Sequence, residues 1–200
     1  CYLQEFIEGT PASAAFAADG RECVLLGLSE QLCGLPQFGA GGFRYCGSIF
    51  PLRDVTGTLV HEVREMTSCL TREFGLRGVN GVDFIVRDGR PVFLEVNPRY
   101  SASMELFEQA WDLPIFDVHV RACKEHLSVF DIKTLIGNLE NKWYYGKAIM
   151  FAIRDIVVQD TDSWYGKGLR DIPWPGERIP RGSPICTILA EGRNREDCLD

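Results

Sequence analysis

The run Gly81-Val82-Asp83-Phe84-Ile85-Val86, then Arg87-Asp88-Gly89-Arg90, then Pro91-Val92-Phe93-Leu94-Glu95-Val96-Asn97-Pro98-Arg99 constrains the fold more than any other stretch of this 200-residue chain. Two apolar, β-branched runs flank Asp88-Gly89, a pair that favours a two-residue type I′ turn, so an antiparallel hairpin is expected here. Alternation along a strand puts Asp83 and Ile85 on one face, and it puts Glu95 and Asn97 together on one face of the partner strand. If those two faces coincide, two carboxylates and an amide oxygen converge. Buried carboxylates repel one another unless something positive lies between them, and a bound cation is the natural resolution. Hard oxygen donors in that number suit magnesium or manganese better than zinc. Arg99, two residues further on, extends the same face and could hold an anion. The competing reading is a solvated strand face whose acids meet only water.

Composition removes several classes of function. A chain of this length can bury a real core, and 46% hydrophobic with 24% charged residues is the balance of an ordinary globular protein. The formal net charge of -7 argues against a general nucleic-acid binder, because affinity for a phosphate backbone rests on clustered Lys and Arg. No apolar run approaches the roughly 20 residues that span a bilayer, and no signal-peptide pattern is present. The expectation is therefore a cytoplasmic protein that engages neither membrane nor nucleic acid. Its eight cysteines include no C-x-x-C pair, so they read as buried hydrophobes or free thiols rather than a zinc site or disulfide framework.

The remaining elements follow from periodicity and punctuation. Residues 2–9 read as a short strand ending at Gly9, Thr10 and Pro11, and residues 22–29 as another strand after the Asp19-Gly20 turn. The alanine-rich segment 13–18 between them has little strand preference. Five glycines in residues 33–51 indicate a flexible loop that matches no Walker motif. Residues 56–75 are the clearest helix, with Thr56 as N-cap, Leu59, Val63, Met66 and Leu70 at helical spacing, and Gly75 as the stop. Helices are expected over 103–111, capped by Ser103, and over 115–126, separated by Leu113-Pro114. His61, His119 and His126 read as solvated or structural. From about Gly137 the texture becomes strand-like and rich in turns, with strands within 147–159 and over 185–190.

Asn80-Gly81-Val82-Asp83-Phe84, a hairpin, and Leu94-Glu95-Val96-Asn97-Pro98-Arg99 together resemble the metal-binding core of the ATP-grasp superfamily, with its acid on one strand and E-x-N-x-R on the next. The segment Gln4-Glu5-Phe6-Ile7-Glu8-Gly9 is similar to that family's nucleotide hinge. The resemblance implies an α+β fold: an ATP-grasp C-terminal subdomain of antiparallel sheet with flanking helices over residues 1–136, followed by a small β-rich cap over 137–200. It implies ATP and Mg2+ (or Mn2+) as cofactors, with Asp83, Glu95 and Asn97 as metal ligands and Arg99 on phosphate or substrate.

It further implies that Gln4, Glu5, Phe6, Ile7 and Glu8, with Leu94, form the nucleotide pocket. Arg44, and with it Tyr45, would sit at the active-site mouth, where Arg44 is a second catalytic candidate; Tyr100, Ser101 and Ser103 would select the acceptor. The activity implied is ATP-dependent activation of a small-molecule carboxylate as an acyl phosphate, captured by an amine. The alternatives are a bicarbonate-phosphorylating, carbamoyl-phosphate-type enzyme and a non-catalytic nucleotide-binding domain. Because Cys1 opens the chain without a methionine, a preceding N-terminal half of the same protein is an expected partner, without which residues 1–200 would bind ATP weakly and not turn it over. A homodimer is compatible with this reading.

Overall fold

A computed structural model describes residues 3–124 and 143–199. The chain divides into two compact units, Cys1–Glu30 with Pro51–Asn141 and Gln31–Phe50 with Lys142–Asp200. The second unit thus takes in an excursion from the first half of the sequence. The expected boundary between residues 136 and 137, and His126 with it, lies outside the described residues.

In the first unit the strands are β1 (Thr10–Asp19), the larger part of β2 (Cys23–Cys33), β4 (Arg77–Arg87) and β5 (Arg90–Asn97); β3 (Tyr45–Phe50) belongs to the second unit. They lie in the order β5-β4-β1-β2, each pair antiparallel. Helix α1 (Gly57–Phe74) precedes β4, while α2 (Met104–Trp111) and α3 (Ile115–Lys124) follow β5. The antiparallel sheet with helices is the α+β arrangement expected.

Helix α1 forms where its punctuation places it. Thr56 Oγ1 accepts the Leu59 N–H at 3.1 Å, satisfying one of the orphan donors of the first turn. At the other end Gly75 takes φ 61° and its N–H reaches the Thr71 carbonyl. Leu59 and Val63 are buried against Ala12, Ala14, Phe16 and Ala18 of β1 and against Val82 and Phe84 of β4, whereas Met66 and Leu70 pack at the margin of that cluster. Burial shifts instead to Thr67 and Thr71, four and eight residues beyond Val63.

Two expectations near the start are corrected. Residues 4–8 form no strand, and the strand proper is Thr10–Asp19, which contains the alanine run. Eight consecutive residues from Ala12 to Asp19 are buried, because β1 lies between β2 and β4 with its even-numbered side chains under α1. Small side chains suit that position, and tertiary burial outweighs their weak intrinsic strand preference. Ser103 does not cap α2: its backbone is already helical and its hydroxyl makes no cap hydrogen bond.

The second unit has the strand order β3-β6-β10-β8, where β6 is Tyr144–Phe151, β8 is Leu169–Arg170 and β10 is Pro184–Gly192. A two-stranded ladder pairs β7 (Ile156–Val157) with β9 (Arg178–Ile179). Its core gathers Leu32, Phe38, Ala40, Cys46, Ile49 and Ala148. Its described residues from 143 onward hold short strands and 3₁₀ turns but no α-helix, in keeping with a β-rich module. The glycine-rich stretch expected as loop contains both a 3₁₀ turn, Pro36–Phe38, and strand β3. No described helix is long and apolar enough to cross a membrane.

Candidate functional site

The β4–β5 hairpin closes through Asp88 and Gly89, with φ of 53° and 73°, the pair of positive values that a type I′ turn requires. From the turn outward Arg87 pairs with Arg90, Ile85 with Val92 and Phe84 with Phe93. The register then shifts: Asp83 pairs with Glu95 and Gly81 with Asn97, leaving Leu94 as one extra residue in β5. Had the first register continued, Glu95 would lie opposite Val82 and Asn97 opposite Asn80, both on the face that carries Phe84. The bulge turns both polar side chains to the face of Asp83.

The three side chains do meet. Asn97 Nδ2 donates to Asp83 Oδ2 at 3.1 Å and to Glu95 Oε1 at 3.3 Å, so the amide NH2 group separates the two carboxylates. Asn97 Oδ1 accepts from Arg99 Nη2 at 3.4 Å, and Arg99 Nη1 donates to the Tyr100 carbonyl at 3.1 Å. Asp83 and Asn97 are half-buried, while Glu95 and Arg99 are exposed. The cluster is therefore an open one on the sheet face rather than the enclosed apolar pocket that the neighbouring sequence suggests.

The donor set fits a hard divalent cation. Two carboxylates and an amide supply oxygen donors of the type that magnesium and manganese take, and no thiol or imidazole is among them. An Asn side chain can present either its NH2 or its carbonyl oxygen. The NH2 that now lies between Asp83 and Glu95 compensates the same repulsion that a cation would. Gly81, opposite Asn97, keeps the site open to the following loop: a Cβ there would lie 3.3 Å from Ser101 Oγ.

The other expected residues are placed less closely. Residues 4–8 lead into β1 at its Thr10 end, which pairs with Val86, three residues or about 10 Å along β4 from Asp83. Gln4, Glu5, Phe6 and Glu8 are exposed and Ile7 is half-buried. Gly9 (φ 156°) lets the chain approach closely, since a Cβ there would collide with the Val86 carbonyl. Leu94, half-buried, is the bulge residue itself. Ser101 and Ser103 hydroxyls lie 3.4 Å apart at the end of the loop that Arg99 opens. Arg44 belongs to the second unit, where its Nη1 donates to the Gly182 carbonyl at 2.6 Å and its guanidinium lies 4.9 Å over the Phe151 ring. Tyr45, in the same unit, hydrogen-bonds Ser48 Oγ at 2.9 Å.

Two features escape a reading of the sequence. Ser13 of β1 pairs with Asp83 on one side and Ser29 on the other, which extends the polar row across four strands, and both serines are buried. Nothing in an alanine run marks Ser13 until the register is known. Glu108 of α2 accepts from Tyr100 Oη at 3.1 Å and from the Ile115 N–H at 3.2 Å, bridging the loop after Arg99 to the first turn of α3. Burial first, then the nearby Glu108 carboxylate, raises the Tyr100 pKa above the ordinary phenol value and keeps the hydroxyl a donor.

A family model for the ATP-grasp domain matches residues 2–103, a span that holds the hinge segment, the hairpin and the Arg99 loop. The chain belongs to the ATP-grasp family. It is 23% identical over 195 residues to an uncharacterized protein of Methanocaldococcus jannaschii, covering 94% of this chain and 42% of that protein. It is 27% identical over 119 residues to the carbamoyl phosphate synthase large chain of Caldanaerobacter subterraneus subsp. tengcongensis, covering 59% of this chain and 11% of that one. Among solved structures, the L-amino acid ligase from Bacillus licheniformis superposes with a TM-score of 0.72 at 15% identity, over 97% of this chain and 49% of the ligase, a likeness of fold. The chain thus spans less than half the length of each of these similar proteins.

Proposed function

We propose that this chain forms the metal- and phosphate-contacting wall of an ATP-dependent ligase that activates a carboxylate as an acyl phosphate for capture by an amine. The observation that carries the reading is the convergence of Asp83, Glu95 and Asn97 beside Arg99 on one strand face. Membership of the ATP-grasp family and the similarity to ligases and synthetases support it.

In this reading Asp83, Glu95 and Asn97 would hold magnesium, which would supply positive charge to offset that of the phosphates. The chain itself positions and balances charge, the main protein contribution in phosphoryl transfer. Arg99, with its remaining guanidinium donors, stabilises the anion that develops as the carboxylate takes the γ-phosphoryl group. Arg44, the second catalytic candidate, belongs to the second unit, where one of its five guanidinium donors reaches Gly182. Gln4, Glu5, Phe6, Ile7 and Glu8, together with Leu94, are assigned to the nucleotide; Tyr100, Ser101 and Ser103 face the acceptor.

The test is ADP and inorganic phosphate release from Mg·ATP by the full-length protein, screened against amino acids, small peptides and bicarbonate. Release that needs both a carboxylate and an amine is the expected result. Release that bicarbonate alone sustains would move the assignment to carbamoyl-phosphate-type chemistry, for which the similarity to the carbamoyl phosphate synthase large chain is the supporting observation. Nucleotide binding without turnover under every condition would reduce the chain to a nucleotide-binding domain.

A further inference from the structure

Resting on the ligase reading for its functional consequence, we infer that Glu108 is a positioning residue that aims Arg99 at its anion, acting through Tyr100. Arg99 leaves strand β5 two residues after Asn97 and is exposed, so the packing around it fixes its direction only weakly. Among the described residues it donates to the Asn97 amide oxygen at 3.4 Å and to the Tyr100 carbonyl at 3.1 Å. The second contact is useful only if the Tyr100 backbone is itself fixed.

Glu108 supplies that fixation with both carboxylate oxygens. Oε2 takes the Tyr100 hydroxyl at 3.1 Å, and Oε1 takes the N–H of Ile115, the first residue of α3, at 3.2 Å. The Ile115 side chain is fully buried, so this anchor belongs to the core rather than to a mobile surface. A negative charge at the start of α3 is also favoured by the unpaired N–H groups there. The path therefore runs from core helix to carboxylate to phenol to backbone carbonyl to guanidinium. The links are three hydrogen bonds within the first unit and the covalent frame of Tyr100, and the two hydrogen bonds that end on Glu108 are charge-assisted. An acid that served only to solvate α2 would not direct both oxygens inward, each to a different element.

The experiment uses Glu108→Ala, Glu108→Gln and Tyr100→Phe, each with two readouts, and Arg99→Ala as a background for the second. The first is the ps–ns order of the Arg99 Nε–H by 15N relaxation, which needs no ligand. Glu108→Ala and Tyr100→Phe should both release Arg99, while Glu108→Gln should hold it, because the Gln carbonyl still accepts from Ile115 and its NH2 can donate to the Tyr100 oxygen. Tyr100→Phe leaves the α3 anchor intact, so it reports even if Glu108→Ala folds poorly.

The second readout is the affinity of the full-length protein for Mg·AMP-PNP by calorimetry. Glu108→Ala should weaken it by about tenfold, a typical coupling for contacting groups, and should cost nothing further in an Arg99→Ala background. Unchanged Arg99 order in Tyr100→Phe, or a Glu108→Ala loss that persists undiminished without Arg99, would overturn the inference. A wild type that orders Arg99 as described yet binds no Mg·AMP-PNP would count against the ligase reading and leave the positioning of Arg99 upheld.

Discussion

Glu95 faces Asp83 across the β4–β5 ladder because Leu94 is an extra residue in β5. A regular hairpin from the same two-residue turn would set Glu95 opposite Val82, on the face that carries Phe84. The bulge that absorbs Leu94 thus separates a candidate metal site from a strand with a misplaced acid.

Deleting Leu94 should remove the bulge and leave a regular ladder in which Glu95 still faces Asp83 and Asn97 still faces Gly81, whereas inserting one Ala after Leu94 should turn both away from Asp83. Divalent-metal affinity should survive the deletion, but in the insertion variant it should fall at least as far as in the double variant Glu95→Ala/Asn97→Ala, with a stability loss of about 1–3 kcal/mol. A Mn2+ titration with parallel urea melts measures both. Metal binding retained in the insertion variant would show that the register is not what brings the ligands together.

Asn97 keeps the two carboxylates apart in the absence of metal, through its NH2 at 3.1 and 3.3 Å. Asn97→Asp should therefore lower stability in EDTA by about 1 kcal/mol, or roughly 2–4 °C in Tm for a domain of this size. The rise in Tm on adding Mn2+ should exceed that of the wild type, since three carboxylates gain more from a cation than two. Thermal melts with and without metal test the difference.

Gly89 takes φ 73° in open space, so a methyl group there meets no neighbour and pays only the left-handed backbone penalty. Gly89→Ala should cost about 1–2 kcal/mol. Gly41, equally open but without positive φ, should tolerate Ala within about 0.5 kcal/mol. Chemical denaturation of the two variants gives the comparison directly.

The Cys198 thiol, in the second unit, has its pKa pushed up to about 11, by burial first and then by Asp197 and Glu191. A group with a raised pKa stays protonated in the folded state after the unfolded chain has begun to ionise. Its contribution to stability is thus intact below about pH 9 and declines as pH rises toward 11. Cys198→Ala should flatten the stability profile across that interval. At pH 8 the exposed Cys69 should be alkylated well before Cys198, a difference that mass spectrometry of the labelled protein resolves.

Much of this was legible in the residues, and for physical reasons. Asp88-Gly89 dictates its turn because few pairs accept two positive φ values, and Thr56 with Gly75 brackets α1 because helix ends need local partners. The site's residue types were legible as well, since acid, Glu, Asn and Arg at this spacing suit one kind of chemistry. Their convergence was not: alternation leaves open whether Glu95 shares a face with Asp83, and a bulge at Leu94 has no Gly or Pro to announce it. The alanine strand Thr10–Asp19 was hidden because burial between two neighbours, not propensity, makes it a strand. Glu108 lies among ordinary helix residues, and its two hydrogen bonds exist only once α3 has docked.

The most direct test of the central claim is Mn2+ binding in the presence of AMP-PNP, followed by EPR for the wild type and for the isosteric variants Asp83→Asn and Glu95→Gln. The account predicts that the wild type holds Mn2+ and that each variant weakens it by about tenfold or more, about 1.4 kcal/mol. Equal Mn2+ affinity in all three proteins would contradict it.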